Sequence, residues 1–296
     1  MGGTVNLIGL GVMGRPMARN LARAGFDVVS FTRSAASRER ARGDGLTVVD
    51  ALADLPAAPD FVVTVLPDSP DVEAVLFAED GPVARSADGT LFIDMSTIAP
   101  GAARSIGERL GAAGRRFLDA PVSGGESGAI DAVLSIMVGG AADDVDVARP
   151  LFEAMGTTVV HVGPQGSGQV TKAANQMIVA TNLAVVGEAL VFLRGHGIDP
   201  AVAMSVIGGG LAGSTVIDRK AAAMIAGDFT PGFRLALHLK DLGFVERAAA
   251  EAGLPLEVTA LVTQRVRSLV ATGHGDLDHG ALYLSAAEQA GLPLDS

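Results

Sequence analysis

The fold is decided by residues 4–33, which read TVNLIGLGVMGRPMARNLARAGFDVVSFTR. The apolar run at residues 5–8 predicts a buried strand, and residues 15–24 have the spacing of an amphipathic helix that ends at Gly25. The pattern Gly-x-Gly-x-x-Gly occupies residues 9–14, between that strand and that helix. This context makes the glycine pattern informative.

The three glycines of this pattern have separate physical roles. Gly9 permits a tight turn, Gly11 lets a pyrophosphate approach the backbone, and Gly14 lets the helix pack closely on the strand. The phosphates would then meet the positive end of the helix dipole. The pattern therefore predicts a dinucleotide site of the Rossmann type, with cofactor contacts from Gly9, Leu10, Gly11, Val12, Met13 and Gly14.

The residues after the second predicted strand, at 27–31, indicate which dinucleotide binds. An NAD-binding protein places an acidic residue there for the ribose hydroxyls, whereas this chain has Thr32, Arg33 and Ser34. A guanidinium and a hydroxyl can hold a 2′-phosphate that a carboxylate would repel. Asp27 does not replace the missing acid, because it stands at the start of the strand. The sequence predicts NADP(H) in preference to NAD(H); the alternatives are NAD(H) binding and an Arg33 that is only a surface residue.

The composition is that of an acidic globular protein. The chain has 296 residues, of which 49% are hydrophobic and 19% charged, and a net charge of -11. This charge would repel a phosphate backbone, so we expect no nucleic-acid partner. Because the chain has no cysteine, disulfides, thiolate nucleophiles and cysteine-bound zinc are excluded.

The apolar segments predict a cytoplasmic protein without membrane contact. No basic region precedes the first apolar run, so it is read as a strand and not as a signal peptide. Residues 176–193 approach membrane-spanning length, but Asn182 and Glu188 would be costly in lipid. We expect a long helix buried inside protein.

Strand and helix signals alternate as far as residue 163 and then give way to helical segments alone. Such alternation predicts a mostly parallel sheet covered by helices. We therefore predict an α/β Rossmann domain for NADP binding at residues 1–164 and an all-helical domain for substrate binding and dimerisation at residues 165–296, joined by a long interdomain helix at 167–194. Because the helical half has few large aromatic residues, we expect its apolar faces to be shared with another subunit in a homo-oligomer. Further strands are predicted at residues 61–66, 91–95, 116–118, 134–138 and 159–162.

Two predicted strands end in residues that suit cofactor binding. Leu66 and Pro67 follow one strand, and Ser96 and Thr97 follow another, at the carboxyl edge where open α/β sheets bind ligands. Their backbone and hydroxyl groups are expected to position the ribose and nicotinamide. Alternatively they turn the chain or cap helices, since residues 97–100 look like a helix start; both roles are compatible.

A hydroxyl and two glycines follow a short predicted strand at Ser123, Gly124 and Gly125. Backbone N–H groups freed by glycine conformations, beside the Ser123 hydroxyl, would form a cradle for a substrate carboxylate. A simple turn is the alternative.

Lys172 and Asn175 are three residues apart in the long predicted helix, so both project from one face, joined by Asn182 two turns further on. A lysine and an amide on an otherwise apolar face are costly to bury unless they have partners or a function. Buried ionisable groups concentrate at functional sites, so we expect a functional Lys172 and not a solvated one.

The helical half contributes one further candidate and one cluster that we discount. Lys240 follows an apolar run and would reach the cofactor if the helical domain folds over the cleft. Four residues resemble metal ligands by number alone: His274, Asp276, Asp278 and His279. Their segment is glycine-rich and leads into a helix that Asp278 can cap, so no metal is predicted.

Several of these motifs, in this order, resemble the signatures of the β-hydroxyacid dehydrogenase family, which includes 3-hydroxyisobutyrate dehydrogenase. The motifs lie at residues 9–21, 119–125 and 168–175. Three further segments look like the tartronate semialdehyde reductase branch of that family, at residues 134–140, 209–215 and 231–242. The resemblance covers nearly the whole chain.

The resemblance implies a Rossmann domain, a helical second domain and usually dimers or tetramers. It implies that Lys172 is the catalytic lysine, that Asn175 orients the substrate, and that Ser123 belongs to the catalytic set and, with Gly124 and Gly125, holds the substrate carboxylate. It also places Lys240 near the nicotinamide. Leu66, Pro67, Ser96 and Thr97 become cofactor contacts. The chain departs from the usual pattern at Val133, Ser127, Gly128 and Gly280, which leaves the substrate open.

The implied activity is the NADP(H)-dependent reduction of a small oxo-acid, with tartronate semialdehyde (2-hydroxy-3-oxopropionate) reduced to glycerate as the leading expectation. The alternatives are a 3-hydroxyisobutyrate dehydrogenase and a succinic semialdehyde or glyoxylate reductase. Lys172 disfavours imine reduction, because imine reductases commonly replace that lysine. The short helical half disfavours action on 6-phosphogluconate. Retention of Lys172, Asn175 and Ser123 disfavours a non-catalytic NADP-binding sensor.

Overall fold

The computed structural model describes residues 2–292, and its first part is built around a large mixed sheet. The strands are β1 (Thr4–Ile8), β2 (Asp27–Phe31), β3 (Thr47–Val48), β4 (Phe61–Thr64), β5 (Leu91–Asp94), β6 (Arg116–Asp119), β7 (Val122–Ser123), β8 (Leu134–Gly139) and β9 (Gly156–Gly163). The helices of this part are α1 (Gly14–Arg23), α2 (Ala35–Gly43), α3 (Ser69–Leu76), α4 (Pro82–Arg85), α5 (Pro100–Ala112), α6 (Gly125–Ile130) and α7 (Ala142–Glu153).

The sheet has the strand order β3-β2-β1-β4-β5-β6-β8-β7, with β9 paired to β8. Its first six strands are all parallel, whereas β8 runs antiparallel to both β6 and β7. The order reverses between β1 and β4, and open α/β sheets bind ligands outside the carboxyl ends of the strands at such a point. This confirms the predicted Rossmann-type, mostly parallel architecture.

Helices cover both faces of the sheet, because alternate residues of each strand point to opposite sides. Leu7 packs in one apolar cluster with Met17 of α1 and Phe152 of α7, while Ile8 packs in another with Ile106 of α5. All five of these apolar side chains are fully buried. Each such burial contributes about 1.5–3 kcal/mol, so the two layers hold the strand ends in place.

The predicted strands are confirmed, with differences at their ends. The strands predicted to reach residues 66 and 95 end at Thr64 and Asp94, because the chain leaves the sheet there to form the loops described below. The last strand begins three residues earlier than predicted, at Gly156, where it pairs with Leu134. Strands β3 and β7 were not predicted, because two residues are too few to show a periodic pattern.

The second part of the chain is helical, as predicted. Its helices are α8 (Ser167–Gly195), α9 (Pro200–Gly208), α10 (Thr215–Ala226), α11 (Leu235–Glu251), α12 (Glu257–Leu269) and α13 (Leu282–Gln289). Helix α8 has 29 residues, one more than predicted. The described chain divides into two compact units, one ending at Lys172 and the other beginning at Ala173, so α8 starts in the first unit and continues into the second. The proposed domain boundary at residues 164 and 165 stays a prediction.

The core of the second unit forms around α8. Leu183 and Leu190 of α8 are fully buried, together with Leu242 of α11 and Val266 of α12. Within residues 2–292, α8 is also the helix long and apolar enough to cross a membrane by length and composition. Core helices of globular proteins can have the same properties, and 39% of the most apolar part of α8 is buried, on the side that carries these leucines.

Candidate active site

The glycine turn after β1 has the geometry that the pattern predicts. Gly9 has φ +109°, and a side chain there would collide with the Val65 carbonyl oxygen. A side chain at Gly14 would collide with the Gly9 carbonyl oxygen, so the helix can approach the turn only at a glycine. A Cβ at Gly11 would meet nothing within 4 Å, which leaves open space for a ligand. The three glycines therefore match the turn, packing and approach roles of a dinucleotide site.

The start of α1 suits a phosphate group. Its N-cap residue, Met13, makes no side-chain cap hydrogen bond, and its first turn contains no acidic residue. Uncapped N–H groups at a helix start carry a partial positive charge. Val12, beside them, is 54% exposed, whereas Leu10 is buried and anchors the turn. The turn fits the diphosphate of a dinucleotide.

The segment after β2 carries an exposed guanidinium. The Arg33 side chain is 76% exposed and donates to Asp71 Oδ1 at 3.0 Å. Thr32 is half-buried, and the Ser34 hydroxyl accepts from the Ser37 N–H at 3.3 Å as the N-cap of α2. Arg33 is therefore free of the core and can swing toward a ligand phosphate. Asp71 of α3, an acid near this position, was missed because it stands 38 residues further along the chain.

The loops after β4 and β5 meet each other. The Leu66 N–H donates to the Ser96 hydroxyl at 2.8 Å, and Ser96 is buried. Pro67 is exposed and Thr97 is half-buried beside them. Helix α5 begins at Pro100, as the helix-start reading predicted, but its N-cap is Ala99 and not one of the hydroxyl residues. The Ser96 hydroxyl thus fixes the two loops to one another.

Ser123, Gly124 and Gly125 form a sharp bend between β7 and α6. Gly124 has φ +139° and Gly125 has φ +65°, which side-chain-bearing residues rarely adopt. A Cβ at Gly125 would meet nothing within 4 Å, and Ser123 is half-buried, paired opposite Ser135 of β8. The bend is a turn that leaves open space beside Gly125, and its role as a carboxylate cradle stays a prediction.

Lys172 and Asn175 occupy the first turns of α8. Lys172 is only 7% exposed, which agrees with its expected burial. Asn175 keeps its Oδ1 atom buried, and no described group donates a hydrogen bond to it. An unsatisfied buried amide oxygen costs free energy and calls for an explanation, such as a ligand donor. The Lys172 and Asn175 pair is therefore suited to bind and protonate a polar substrate.

The sequence interpretation did not assign a role to Asp119 or Gln169, which hold the start of α8. Asp119 at the end of β6 accepts from the Gly166 N–H at 2.7 Å and from the Gln169 N–H at 2.9 Å. Burial raises the pKa of Asp119 to about 6, and repulsion from Asp94 adds to the shift, while these two hydrogen bonds oppose it. Asp119 belonged to a quoted motif, but the partners stand about 50 residues away and only the fold brings them together.

Lys240 lies on α11 in the second unit. Its Nζ is 3.2 Å from Asp241 Oδ1, and Asp241 Oδ2 accepts from the Gln176 side chain at 2.6 Å. Asp241 and Gln176 are both buried, so Lys240 is held by a buried pair. Its role near the nicotinamide stays a prediction.

The four residues counted as metal ligands do not gather at one point. Asp278 caps the short 3₁₀ helix His279–Ala281, as predicted, and also accepts from Lys220 at 2.8 Å. Burial raises the pKa of Asp278, but other interactions outweigh it and the pKa lies below its usual value. The largest of these interactions is the hydrogen bond from Lys220. Within residues 2–292, no group of three or more histidine, aspartate or glutamate side chains is placed to hold a metal.

His279 instead contacts another imidazole. Its Nδ1 lies 3.2 Å from Nδ1 of His238, and Nε2 of His238 lies 3.2 Å from the Gln176 carbonyl oxygen. Both rings are buried. The pair belongs to the packing of the second unit.

Comparisons with known families cover both parts of the chain. The family described as the NAD binding domain of 6-phosphogluconate dehydrogenase matches residues 4–163. The family described as the NAD-binding domain of NADP-dependent 3-hydroxyisobutyrate dehydrogenase matches residues 166–286.

Individual proteins agree with these matches along their whole length. The 2-hydroxy-3-oxopropionate reductase of Escherichia coli K12 is 40% identical over 278 residues, which cover 94% of this chain and 95% of that protein. The solved structure of Mycobacterium tuberculosis 3-hydroxyisobutyrate dehydrogenase with L-serine has a TM-score of 0.87 and 32% identity, covering 96% of this chain and 99% of that one. A structure described as Psf3 in complex with NADP+ and 2-OPP also has a TM-score of 0.87, with 25% identity over 95% of this chain and 99% of that one.

Fold, glycine turn and these full-length matches lead to one assignment. The predicted family is confirmed, and so is the class of enzyme. The chain belongs to the 3-hydroxyisobutyrate dehydrogenase-like family of β-hydroxyacid dehydrogenases, which are NAD(P)-dependent oxidoreductases.

Proposed function

We propose that this enzyme uses NADP(H) to reduce tartronate semialdehyde (2-hydroxy-3-oxopropionate) to glycerate. The observation that carries the proposal is the buried Lys172 at the start of α8, followed one turn later by the buried amide oxygen of Asn175, which accepts no hydrogen bond from the described residues. The 40% identity to the Escherichia coli 2-hydroxy-3-oxopropionate reductase supports this choice of substrate.

Lys172 is the general acid and base of the proposed reaction. The bound NADPH supplies the hydride that reduces the aldehyde carbon. Protonated Lys172 donates a hydrogen bond to the carbonyl oxygen and then transfers its proton to that oxygen. In the reverse direction neutral Lys172 accepts the proton of the alcohol. Such acid–base catalysis typically contributes about 10²–10⁴-fold to the rate.

The remaining residues position the substrate. The backbone of Gly124 and Gly125 and the hydroxyl of Ser123 hold the carboxylate, since a Cβ at Gly125 would meet nothing within 4 Å. Asn175 Oδ1 accepts from a substrate hydroxyl, which satisfies its buried oxygen. A fixed orientation of the aldehyde lowers the entropic cost of the reaction.

NADP(H) is proposed as the preferred cofactor, with NAD(H) as the alternative. Arg33 is exposed, and among the described residues its guanidinium pairs with Asp71 in an exposed ion pair. Exposed pairs are worth about 0–1 kcal/mol, so a phosphate can displace Asp71 at little cost. The NADP+ complex named among the similar structures supports the same preference.

A 3-hydroxyisobutyrate dehydrogenase is the second candidate, because a protein of that name matches 96% of this chain. The two candidates are separated by kcat/KM for tartronate semialdehyde, methylmalonate semialdehyde, succinic semialdehyde and glyoxylate, each with NADPH and with NADH. A clear preference for methylmalonate semialdehyde would contradict the first proposal.

The role of Lys172 is tested by two substitutions. Lys172→Ala is expected to lower kcat by about 10²–10⁴-fold while NADPH affinity stays near wild type. Lys172→Arg keeps the positive charge but holds its proton too tightly to exchange it, so it is expected to be inactive as well. Wild-type turnover in either folded variant would refute proton transfer by Lys172.

We also propose that the protein forms a homodimer or homotetramer. Ile178, Val185 and Phe192 recur every seven residues along α8, and each is more than half exposed. Such an apolar stripe on a helix is typical of a surface covered by another subunit. Val185→Glu is expected to shift the mass measured by light scattering toward that of the monomer. An unchanged mass at micromolar concentration would show that these three residues are not part of the subunit interface.

A further inference from the structure

The side chain of Gln169, in the first turn of α8, is almost completely buried and uses both ends of its amide. Its Nε2 donates to the Ser96 carbonyl oxygen at 2.8 Å, and its Oε1 accepts from the Ile98 N–H at 3.1 Å. The amide therefore pairs with the loop after β5 as a neighbouring strand would.

This loop is part of the predicted cofactor site. Thr97 lies between the two residues that Gln169 holds. The Ser96 hydroxyl in turn accepts from the Leu66 N–H at 2.8 Å, in the loop after β4. Gln169 thus connects α8 with both loops that were predicted to contact the ribose and nicotinamide.

The first turn of α8 is held against the sheet by hydrogen bonds and by close packing. Asp119 accepts from the backbone N–H groups of Gly166 and Gln169. A Cβ at Gly168 would collide with the carbonyl oxygen of Met137 and lie 2.6 Å from that of Asp119, so this turn is packed directly against the strand ends. Lys172 follows Gln169 by three residues, about one helical turn.

We propose that Gln169 is a positioning residue that couples the cofactor loops to the catalytic Lys172. The proposal rests on the role of Lys172 given above. With Gln169 in place, the loop that holds the nicotinamide ribose and the helical turn that holds the lysine have one fixed relation. The distance between the proton donor and the reacting carbon then stays within the narrow range that catalysis requires.

Only a group with one donor and one acceptor satisfies both partners. An ionised glutamate at this position accepts from the Ile98 N–H but turns its second oxygen toward the Ser96 carbonyl oxygen, where two acceptors repel. A protonated glutamate donates to Ser96 and accepts from Ile98, as glutamine does. Burial raises the pKa of such a carboxyl toward the range in which the enzyme can be assayed. The hydrogen bonds lost in Gln169→Glu should therefore be restored when the pH is low enough to protonate the glutamate.

The test compares wild-type protein, Gln169→Glu and Gln169→Met between pH 5.5 and pH 8. Two quantities are measured: kcat with NADPH and tartronate semialdehyde, and the Kd of NADPH from fluorescence. At pH 8 we expect Gln169→Glu to lose roughly 10- to 100-fold in kcat and to bind NADPH more weakly than wild type. At pH 5.5 both deficits, expressed relative to wild type at the same pH, should largely disappear. Gln169→Met has neither polar atom and should keep its deficits at every pH.

Gln165→Glu is the matched control. Gln165 also donates to a backbone carbonyl, that of Phe117 at 3.3 Å, but it makes no contact with the cofactor loops that the described structure records. Its kcat relative to wild type should not depend on pH. Because a buried carboxylate also destabilises the fold as the pH rises, circular dichroism of Gln169→Glu at both pH values must show folded protein before recovery is assigned to the loop.

Three results would overturn the proposal. These are wild-type kcat in a folded Gln169→Met, a Gln169→Glu deficit that does not change with pH, and a deficit confined to NADPH binding with kcat unaffected. Failure of the proposed function looks different. If the wild-type protein reduces none of the four aldehydes, the proposed function is wrong. The role of Gln169 can still be tested in that case by NADPH binding. An NADPH affinity of Gln169→Glu that does not depend on pH would overturn it.

Discussion

Asp119→Asn is expected to change the pH dependence of stability, because the folded protein holds a proton on Asp119 more tightly than the unfolded chain does. The carboxyl is fully buried at the end of β6. Burial raises its pKa from 3.8 to about 6 in the folded state. In the unfolded chain the pKa is close to the ordinary value of about 3.9.

The direction of the effect follows from these two values. Stability contributed by a raised pKa is fully present below the unfolded value and is lost as the pH rises through the folded value, near 6. Between pH 5 and pH 7 the wild-type protein should therefore lose about 1 kcal/mol of unfolding free energy that the asparagine variant, with no proton to exchange, does not lose. The total cost of keeping Asp119 charged at neutral pH is about 3 kcal/mol.

The assay is urea unfolding of both proteins at pH 5, 6 and 7, at one ionic strength. The quantity compared is the wild-type unfolding free energy minus that of Asp119→Asn, which removes the titration of every other group. Asp131→Asn, at an exposed position, controls for the loss of a carboxylate as such. A difference that stays constant, or that rises with pH, would refute the reasoning that burial dominates the pKa of Asp119.

Three further predictions concern the cofactor site. Arg33→Asp should lower the ratio of NADPH to NADH affinity by roughly 10- to 100-fold, because it replaces a charged phosphate donor with a repelling carboxylate; an unchanged ratio would mean that Arg33 is only a surface residue. Gly14→Ala should lower the melting temperature, since its Cβ would meet the Gly9 carbonyl oxygen, at a cost of about 1–3 kcal/mol. Gly11→Ala should leave the melting temperature of the unliganded protein nearly unchanged and weaken NADPH binding, since its Cβ points into open space; the opposite pattern would show that the glycine roles are misassigned.

The parts of the fold that depend on local pattern were predictable from sequence. The second strand has the predicted limits, Asp27–Phe31, and α8 begins at the predicted residue. Both were predictable because apolar periodicity and the glycines that end helices and strands are local signals. The glycine turn was equally legible, since each glycine is required by backbone geometry within a few residues. Strand ends were less predictable, because Thr64 and Asp94 are followed by residues that continue an apolar pattern while the chain turns away.

The parts of the site that depend on contacts between distant elements were not predictable. Gln169 meets Ser96 across 73 residues of sequence, and Arg33 meets Asp71 across 38. Neither glutamine nor aspartate carries a local signal for such a partner, because the pairing exists only once the sheet has aligned the strand ends. The motif around Lys172 was therefore recognised, while the groups that hold it in place were not.

The two histidines of the second unit carry a consequence for how protons are arranged there. Since the Gln176 carbonyl oxygen can only accept, Nε2 of His238 must carry a hydrogen, which leaves Nδ1 of the neutral ring as a lone pair. Nδ1 of His279 is then the donor in the 3.2 Å contact. Nε2 of His279 lies 4.0 Å from the Asp278 carboxylate. The two rings thus form a one-directional line of hydrogen bonds, in which His279 donates to His238 and His238 donates to the Gln176 carbonyl oxygen.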